Sequence, residues 1–210
     1  MQRLRGHAYL QDAAIKAGEL TLEGRHIQAV DRLSWHVLTI NQNETVTGCL
    51  RYLEHRADLA YSDLGLSHSP LAGSPYWGPM VRDAVEAELF HAWRRGFACV
   101  ELGGWAVLEA FRGGPEAFQM ILTAYALAGL RGGAVAMTTA TRRHKSSSIL
   151  RRMGGRSLRI ANAEVPPYYD PHYGCEMELL AFESTSPNER YTSLIEQHRR
   201  ALLDCPLIVS

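Results

Sequence analysis

The sequence predicts an α/β fold of the α+β kind, a mixed central sheet flanked by helices, and three observations carry that prediction. Helical and strand-like patterns alternate along the chain. A strand-like run ending near Leu108 turns through Arg112-Gly113-Gly114 into a long helical pattern opened by Pro115. With 46% hydrophobic residues in 210, there is enough apolar side chain for one large core, so residues 1–210 read as a single domain.

Residues 3–24 carry Leu4, Tyr9, Leu10, Ala13, Ala14, Ala17, Leu20 and Leu22 at mostly helical spacing, which predicts one or two short helices. Trp35 to Ile40 and Val46 to Leu53 are β-prone runs joined by Asn41-Gln42-Asn43-Glu44, the pattern of a hairpin. Residues 62–79 are rich in Ser, Gly and Pro and predict a long loop or an ordered lid. Val81, Val85, Leu89 and Trp93 give helical periodicity from about Pro79 to Arg95. A strand over Ala98–Leu108 follows, then a helix from Pro115 that stops at Arg131-Gly132-Gly133. Ala134 to Thr141 reads as a strand, Lys145 to Met153 as a helix, and Cys175 to Phe182 as a strand. The polar tail over 188–210 reads as helical from Asn188 to Leu203.

Lys and Arg number 22, as do Asp and Glu, so the balance points neither to a nucleic acid nor to a membrane surface as partner. Cys49, Cys99, Cys175 and Cys205 lie far apart with no Cys-x-x-Cys pair, which argues against a zinc site and a disulfide scaffold; no metal is expected. No apolar run approaches the ~20 residues a bilayer span needs, and the N-terminus lacks the apolar core of a leader. A cytoplasmic protein is expected.

The chemistry concentrates around Val100–Gly133. Backbone N–H groups of Gly113, Gly114, Glu116 and Ala117 would converge at the positive end of a helix dipole, a site suited to pyrophosphate. The spacing is not that of a Walker loop or a dinucleotide fingerprint. Glu101 opens an otherwise apolar strand, where burial would raise its pKa toward neutrality and fit it as a general base; the alternative is an ion pair at a strand end. Gly103-Gly104 makes a bulge cheap, so backbone N–H groups from Trp105, Ala106 and Val107 would be free to hold a carbonyl oxygen. Arg51 offers a planar donor for a carboxylate. His36 and His68 read as structural, and Cys99 lacks the basic partner a nucleophilic thiol needs.

The run Arg112-Gly113-Gly114-Pro115-Glu116-Ala117 resembles the acyl-carrier-binding segment of the GNAT superfamily of N-acyltransferases, Arg/Gln-x-x-Gly-x-Gly/Ala, with Pro115 at or beside a usual glycine position. The flanks Asp31-Arg32-Leu33-Ser34-Trp35, Gly48-Cys49-Leu50-Arg51 and Glu101 are similar to the branch that holds acyl-homoserine-lactone synthases and long-chain N-acyl amino acid synthases, as is Arg3-Leu4-Arg5 with Tyr9. The resemblance spans residues 3–182 as a pattern. It implies a GNAT fold and an acyl-CoA or acyl-carrier-protein phosphopantetheine as co-substrate, gripped by Arg112, Gly113, Gly114, Glu116, Ala117, Arg143 and Ser147 together with the Trp105–Val107 backbone. It also implies Asp31 and Arg51 on the acceptor side and Glu101 as base. Where those synthases carry Glu-x-x-Arg-Phe, this chain has Glu101-Leu102-Gly103-Gly104-Trp105, which disfavours a homoserine-lactone product. The family's thiolate-protonating tyrosine falls on Leu150, so Tyr168, Tyr169 or Tyr173 is expected to substitute, with Tyr169 taken as the acid. The basic run Arg142-Arg143-His144-Lys145 before Ser146-Ser147-Ser148 marks either a docking surface for an acidic carrier protein or a solvated face.

The expectation is an N-acyltransferase moving an acyl group, taken as long-chain, to the amine of an amino acid or similar small molecule. An acetyl-CoA-dependent N-acetyltransferase and a non-catalytic acyl-carrier-binding module stand as alternatives.

Overall fold

In a computed structural model of the chain, residues 1–56, 58–160 and 163–205 are described. The elements run α1 (Gln2–Gln11), β1 (Trp35–Ile40), β2 (Val46–Glu54), α2 (Trp77–Arg95), β3 (Ala98–Val107), α3 (Glu116–Leu130), β4 (Ala134–Thr141) and α4 (Ser146–Arg152). Short strands β5 (Arg156–Ser157), β6 (Arg159–Ile160), β7 (Ala163–Glu164) and β8 (Tyr168–Asp170) precede β9 (Cys175–Glu183) and α5 (Thr192–Leu203). The expected elements are present. The expected tail extends over 206–210, which lie outside the described residues.

Seven strands form one mixed sheet in the order β1-β2-β3-β4-β9-β5, with β8 also on β9, while β6 and β7 make a separate ribbon. Strand alternation sends Leu50, Tyr52, Val100, Leu102, Ala136 and Leu180 to one face, where they pack with Met120, Ile121 and Tyr125 of α3 and with Leu150 of α4. The opposite face carries Cys99, Met137, Leu179 and Ala181 against Val81 and Val85 of α2, and Cys49 and Ala106 against Leu4 and Ala8 of α1. Helices on both faces account for the burial of this sheet. α5 lies on α3, where His198 Nδ1 and Thr123 Oγ1 meet at 2.8 Å.

On α2 the buried positions are Gly78, Val81, Ala84, Val85, Glu88 and Ala92, and Trp93 is 64% exposed, stacked on the exposed Phe90. The stripe therefore sits one position off the Leu89–Trp93 line, because Arg156 on β5 holds Glu88 inward with two 2.7 Å bonds.

Two features of β3 shape the site. It pairs with β4 in parallel only from Ala98 opposite Ala134 to Glu101 opposite Met137, after which the strands part. On its other side the β2 register shifts between Cys49 opposite Ala106 and Arg51 opposite Gly103, so Gly104 and Trp105 together face Leu50 as a β-bulge. Gly104 sits at φ +59°, and a Cβ there would lie 3.1 Å from Arg5 Nη1. Left-handed backbone costs a non-glycine residue about 1–2 kcal/mol. Gly104→Ala is therefore expected to lower the unfolding free energy by about that amount, read as a lower urea midpoint at unchanged slope; an unchanged midpoint would remove the bulge from the features that need glycine.

Candidate functional site

Where β3 and β4 part, a cavity of about 1580 Å³ opens between Glu101–Val107 on one strand and Met137–Thr141 on the other. The remaining walls come from Tyr9 of α1, Arg51 of β2, Leu66 in the segment before α2, and Tyr168 and Tyr173 near the short strands. Leu50, Leu53, Leu102, Ile121, Leu150 and Met177 make much of the lining apolar.

The bulge reorients the strand edge facing the cavity. Leu108 N–H donates to Thr47 O, on the β2 side, at 2.9 Å. By alternation the Val107 N–H faces the other way, toward the gap left by β4. Trp105 lines the cavity and its indole Nε1–H is buried with no acceptor among the described residues. The expected irregularity at Gly103-Gly104 is therefore present; the Val107 N–H faces the gap, whereas Ala106 lies on the β2 side opposite Cys49 and Trp105 contributes its indole N–H.

The α3 start is more occupied than its sequence implies. Gly113 adopts φ +88° and lines the cavity, as does Ala117. The N–H groups of Glu116 and Ala117 lie in a first helical turn with no intrahelical acceptor within reach. Gly114 differs: its N–H donates to Phe111 O at 3.1 Å, and a Cβ on it would meet the folded-over Glu116 carboxylate at 2.5 Å. Arg112 binds Asp12 through two 2.8 Å bonds, and Arg143 donates to Gly174 O and Asp12 O. Both arginines line the cavity mouth, already partnered. Ser147 is buried, 2% exposed, and it is Ser146 that lines the cavity. In the basic run, Arg142 pairs with Glu176 and Glu178, and Arg151 with Glu178, so much of that charge is neutralised.

Glu101 sits at the last β3–β4 pair, its side chain 16% exposed. Its Oε1 accepts the Leu66 N–H at 3.1 Å, and its Oε2 accepts the Gly65 N–H at 3.0 Å and lies 2.9 Å from His55 Nε2. Burial pushes this carboxyl's pKa up, but His55 and the two N–H donors outweigh it, so the net direction is down. The expectation of a raised pKa is reversed because the lid-like segment 61–71 docks its backbone donors onto the carboxylate. His55, at the end of β2, belongs to the site although nothing local in the sequence marks it: no motif spacing links it to a residue 46 positions on.

Asp31 is a hub behind the cavity and does not line it. Its carboxylate, 4% exposed, takes Arg5 Nη1 at 2.9 Å and Arg5 Nη2 at 2.6 Å, Gln28 N–H at 3.1 Å, Gln2 Nε2 at 3.2 Å and Arg51 Nη1 at 3.4 Å. Burial works against ionisation here too, but these donors hold the Asp31 pKa well below the usual carboxylate range. Arg51 lines the cavity, with Nη1 held by Gln28 and Asp31 and with Nε buried and without a partner among the described residues. Asp31 thus orients Arg51 and is too saturated to bind substrate.

Of the three candidate tyrosines, Tyr168 and Tyr173 line the cavity, and Tyr169, 62% exposed, does not. Tyr168 hydrogen-bonds Ser69 and Thr139, and burial pushes its pKa up. The alternation of β8 explains the exchange, since Tyr168 and Tyr169 necessarily face opposite sides.

No three of the His, Cys, Asp and Glu residues converge as a metal-binding group among the described residues, and no helix of that set is long and apolar enough to cross a membrane. No protein-family model matches the chain, and no curated protein matches it by sequence. Solved structures do. The CoA-dependent acyl-homoserine lactone synthase BjaI, with SAM and isopentyl-CoA, matches with a TM-score of 0.57 and 13% identity over 100% of this chain and 82% of that chain. TofI, in a ternary complex with an inhibitor and MTA, matches at 0.56 and 17% identity over 87% and 82%. The AHL synthase LasI matches at 0.53 and 16% identity over 100% and 89%. The chain has the GNAT-like α/β fold of these neighbours.

Removing the Asp31 charge would strand the fully buried Arg5, which typically costs about 3–5 kcal/mol. Asp31→Asn is expected to lose about that much unfolding free energy at neutral pH. Because the folded pKa is depressed, the wild-type advantage is complete above the ordinary carboxylate value of 3.8 and shrinks as pH falls through and below it. Equal stabilities for the two proteins at neutral pH would refute the hub.

Proposed function

We propose that the protein is an N-acyltransferase that moves an acyl group from a phosphopantetheine thioester, on coenzyme A or an acyl carrier protein, to the amine of an amino acid or similar small molecule. The parting of β3 and β4 beside Glu101 carries this reading, because it leaves an unpaired strand edge along a large cavity that opens at the start of a helix. A pantetheine arm is a chain of amides whose donors and acceptors match such an edge. Its phosphate end would meet the free N–H groups of Gly113, Glu116 and Ala117 and, on exchange of partners, Arg112 and Arg143. The thioester carbonyl would lie at the Val107 N–H, where charge develops on its oxygen during attack.

The amine would approach from the Glu101 side. Arg51, held rigid by Gln28 and Asp31, would receive the acceptor's carboxylate and fix the amine near the carbonyl. The leaving thiolate, with a pKa of about 8.5, needs no strong acid, and Tyr173 and Tyr168, the latter with its hydroxyl bonded to Ser69 and Thr139, line the cavity. The apolar lining and the volume favour a long acyl chain over acetyl. A cytoplasmic location fits these co-substrates.

The test is thiol release from a donor series running from acetyl- to palmitoyl-CoA, and from the same acyl groups on acyl carrier protein, with pooled amino acids as acceptors and mass spectrometry of products. Amide products made fastest from long-chain donors are expected, whereas no binding of either carrier would refute the reading. With an active pair in hand, Arg51→Lys should raise the acceptor KM roughly tenfold or more, the scale of one lost charged hydrogen bond of about 1.5–3 kcal/mol, with little change in the donor KM.

A further inference from the structure

The geometry points to His55, in place of Glu101, as the general base, with Glu101 as its positioning residue; this deepens the acyltransferase reading and rests on it. A carboxylate offers about four lone-pair sites, and Gly65, Leu66 and His55 fill three of those on Glu101. The same donors that lower its pKa make it a poor proton acceptor. The imidazole across the 2.9 Å contact has a second ring nitrogen to spare. With Nε2–H donating to the carboxylate, Nδ1 carries the ring's lone pair and has no protein partner among the described residues. His55 lines the cavity, and its backbone N–H is tied to Cys99 O at 2.9 Å, which fixes the ring's origin beside β3. A base whose far nitrogen is held by a carboxylate is the arrangement that sets both tautomer and aim.

Other titratable and charged groups line the cavity on this side: Glu54, the mutually paired Arg56 and Asp58, Asp63 with its carboxylate on Ala60 N–H, and His68. Cys99 is buried on β3 and its thiol is pushed up to about 12 by burial, so it stays protonated. Glu101 is the one that contacts the ring.

The step balances without a further reagent. An ammonium first loses one proton to water. The neutral nitrogen then attacks the thioester carbonyl, Nδ1 takes its second proton, the C–N bond forms, and the C–S bond breaks with its electron pair on sulfur. The imidazolium returns that proton to the thiolate or to water, giving amide and free thiol.

His55→Gln tests the assignment, since a glutamine amide can still donate to Glu101 and keep the 61–71 segment docked while removing the base. Acyl transfer is measured against pH with decanoyl-CoA and pooled amino acids as probes, alongside urea unfolding. The expected result is a kcat lower by about 10²–10⁴-fold, loss of the acidic limb of kcat/KM, and near-wild-type stability. Glu101→Gln should lower kcat by less than His55→Gln does, because the ring keeps its free nitrogen but loses the carboxylate that aims it. Nitrogen-edited NMR of the free protein should show His55 as the Nε2–H tautomer, and an Nδ1–H tautomer would overturn the proposal. So would a His55→Gln protein with wild-type rate across pH. A wild-type protein that transfers no acyl group from any donor would bring down the acyltransferase reading itself, and the assignment with it.

Discussion

Everything around the cavity follows from one constraint, that β3 and β4 pair for four residues and then separate. Two strand edges leaving a sheet interior expose rows of N–H and C=O groups, and burying those unpaired is costly. The chain meets the constraint on the two strands differently. β4 keeps β9 along its far edge up to Thr141, so only one side is open. β3 keeps β2 but inserts a bulge at Gly104-Trp105, which turns the next residues so that a donor faces the gap. The gap is wide enough to be wet or filled by a ligand, so its backbone groups need no protein partner.

Two carboxylates, the buried Asp31 and the partly buried Glu101, hold this geometry from either side, and they do so by the same physics. Asp31 ties α1 to the start of the hairpin through Arg5, and Glu101 ties the 61–71 segment to β3 through Gly65 and Leu66. In each, desolvation opposes ionisation and is outweighed by directed donors. They differ in access. Asp31 is sealed and saturated, so it acts only on the arginines around it. Glu101 borders the cavity through a histidine that keeps one nitrogen unengaged.

Much of the fold was legible in residues whose physics is local. Pro115 and Gly132-Gly133 punctuate a helix, Gly103-Gly104 foretells the bulge, and the Asn41–Glu44 turn closes a hairpin, all from backbone rules that operate within a few positions. The site was legible where it lies on such elements, as with Glu101, Arg51 and the α3 start. Where partners are distant in sequence, it was not. His55 meets Glu101, and Asp12 neutralises Arg112 from 100 residues away. Tyr168 lines the cavity while Tyr169 beside it is exposed, since in a strand one residue is the whole difference between cavity and solvent. Strands β5–β8 are too short to show a period at all.

The sheet order also bears on how the molecule is made. β4 lies mid-sheet, yet the strand that completes its second edge, β9, spans Cys175–Glu183. During synthesis at about 5–20 residues per second, β1 to β4 leave the ribosome with an apolar edge of β4 open until β9 follows it out. During that interval the open edge is a template for wrong pairing with a neighbouring chain.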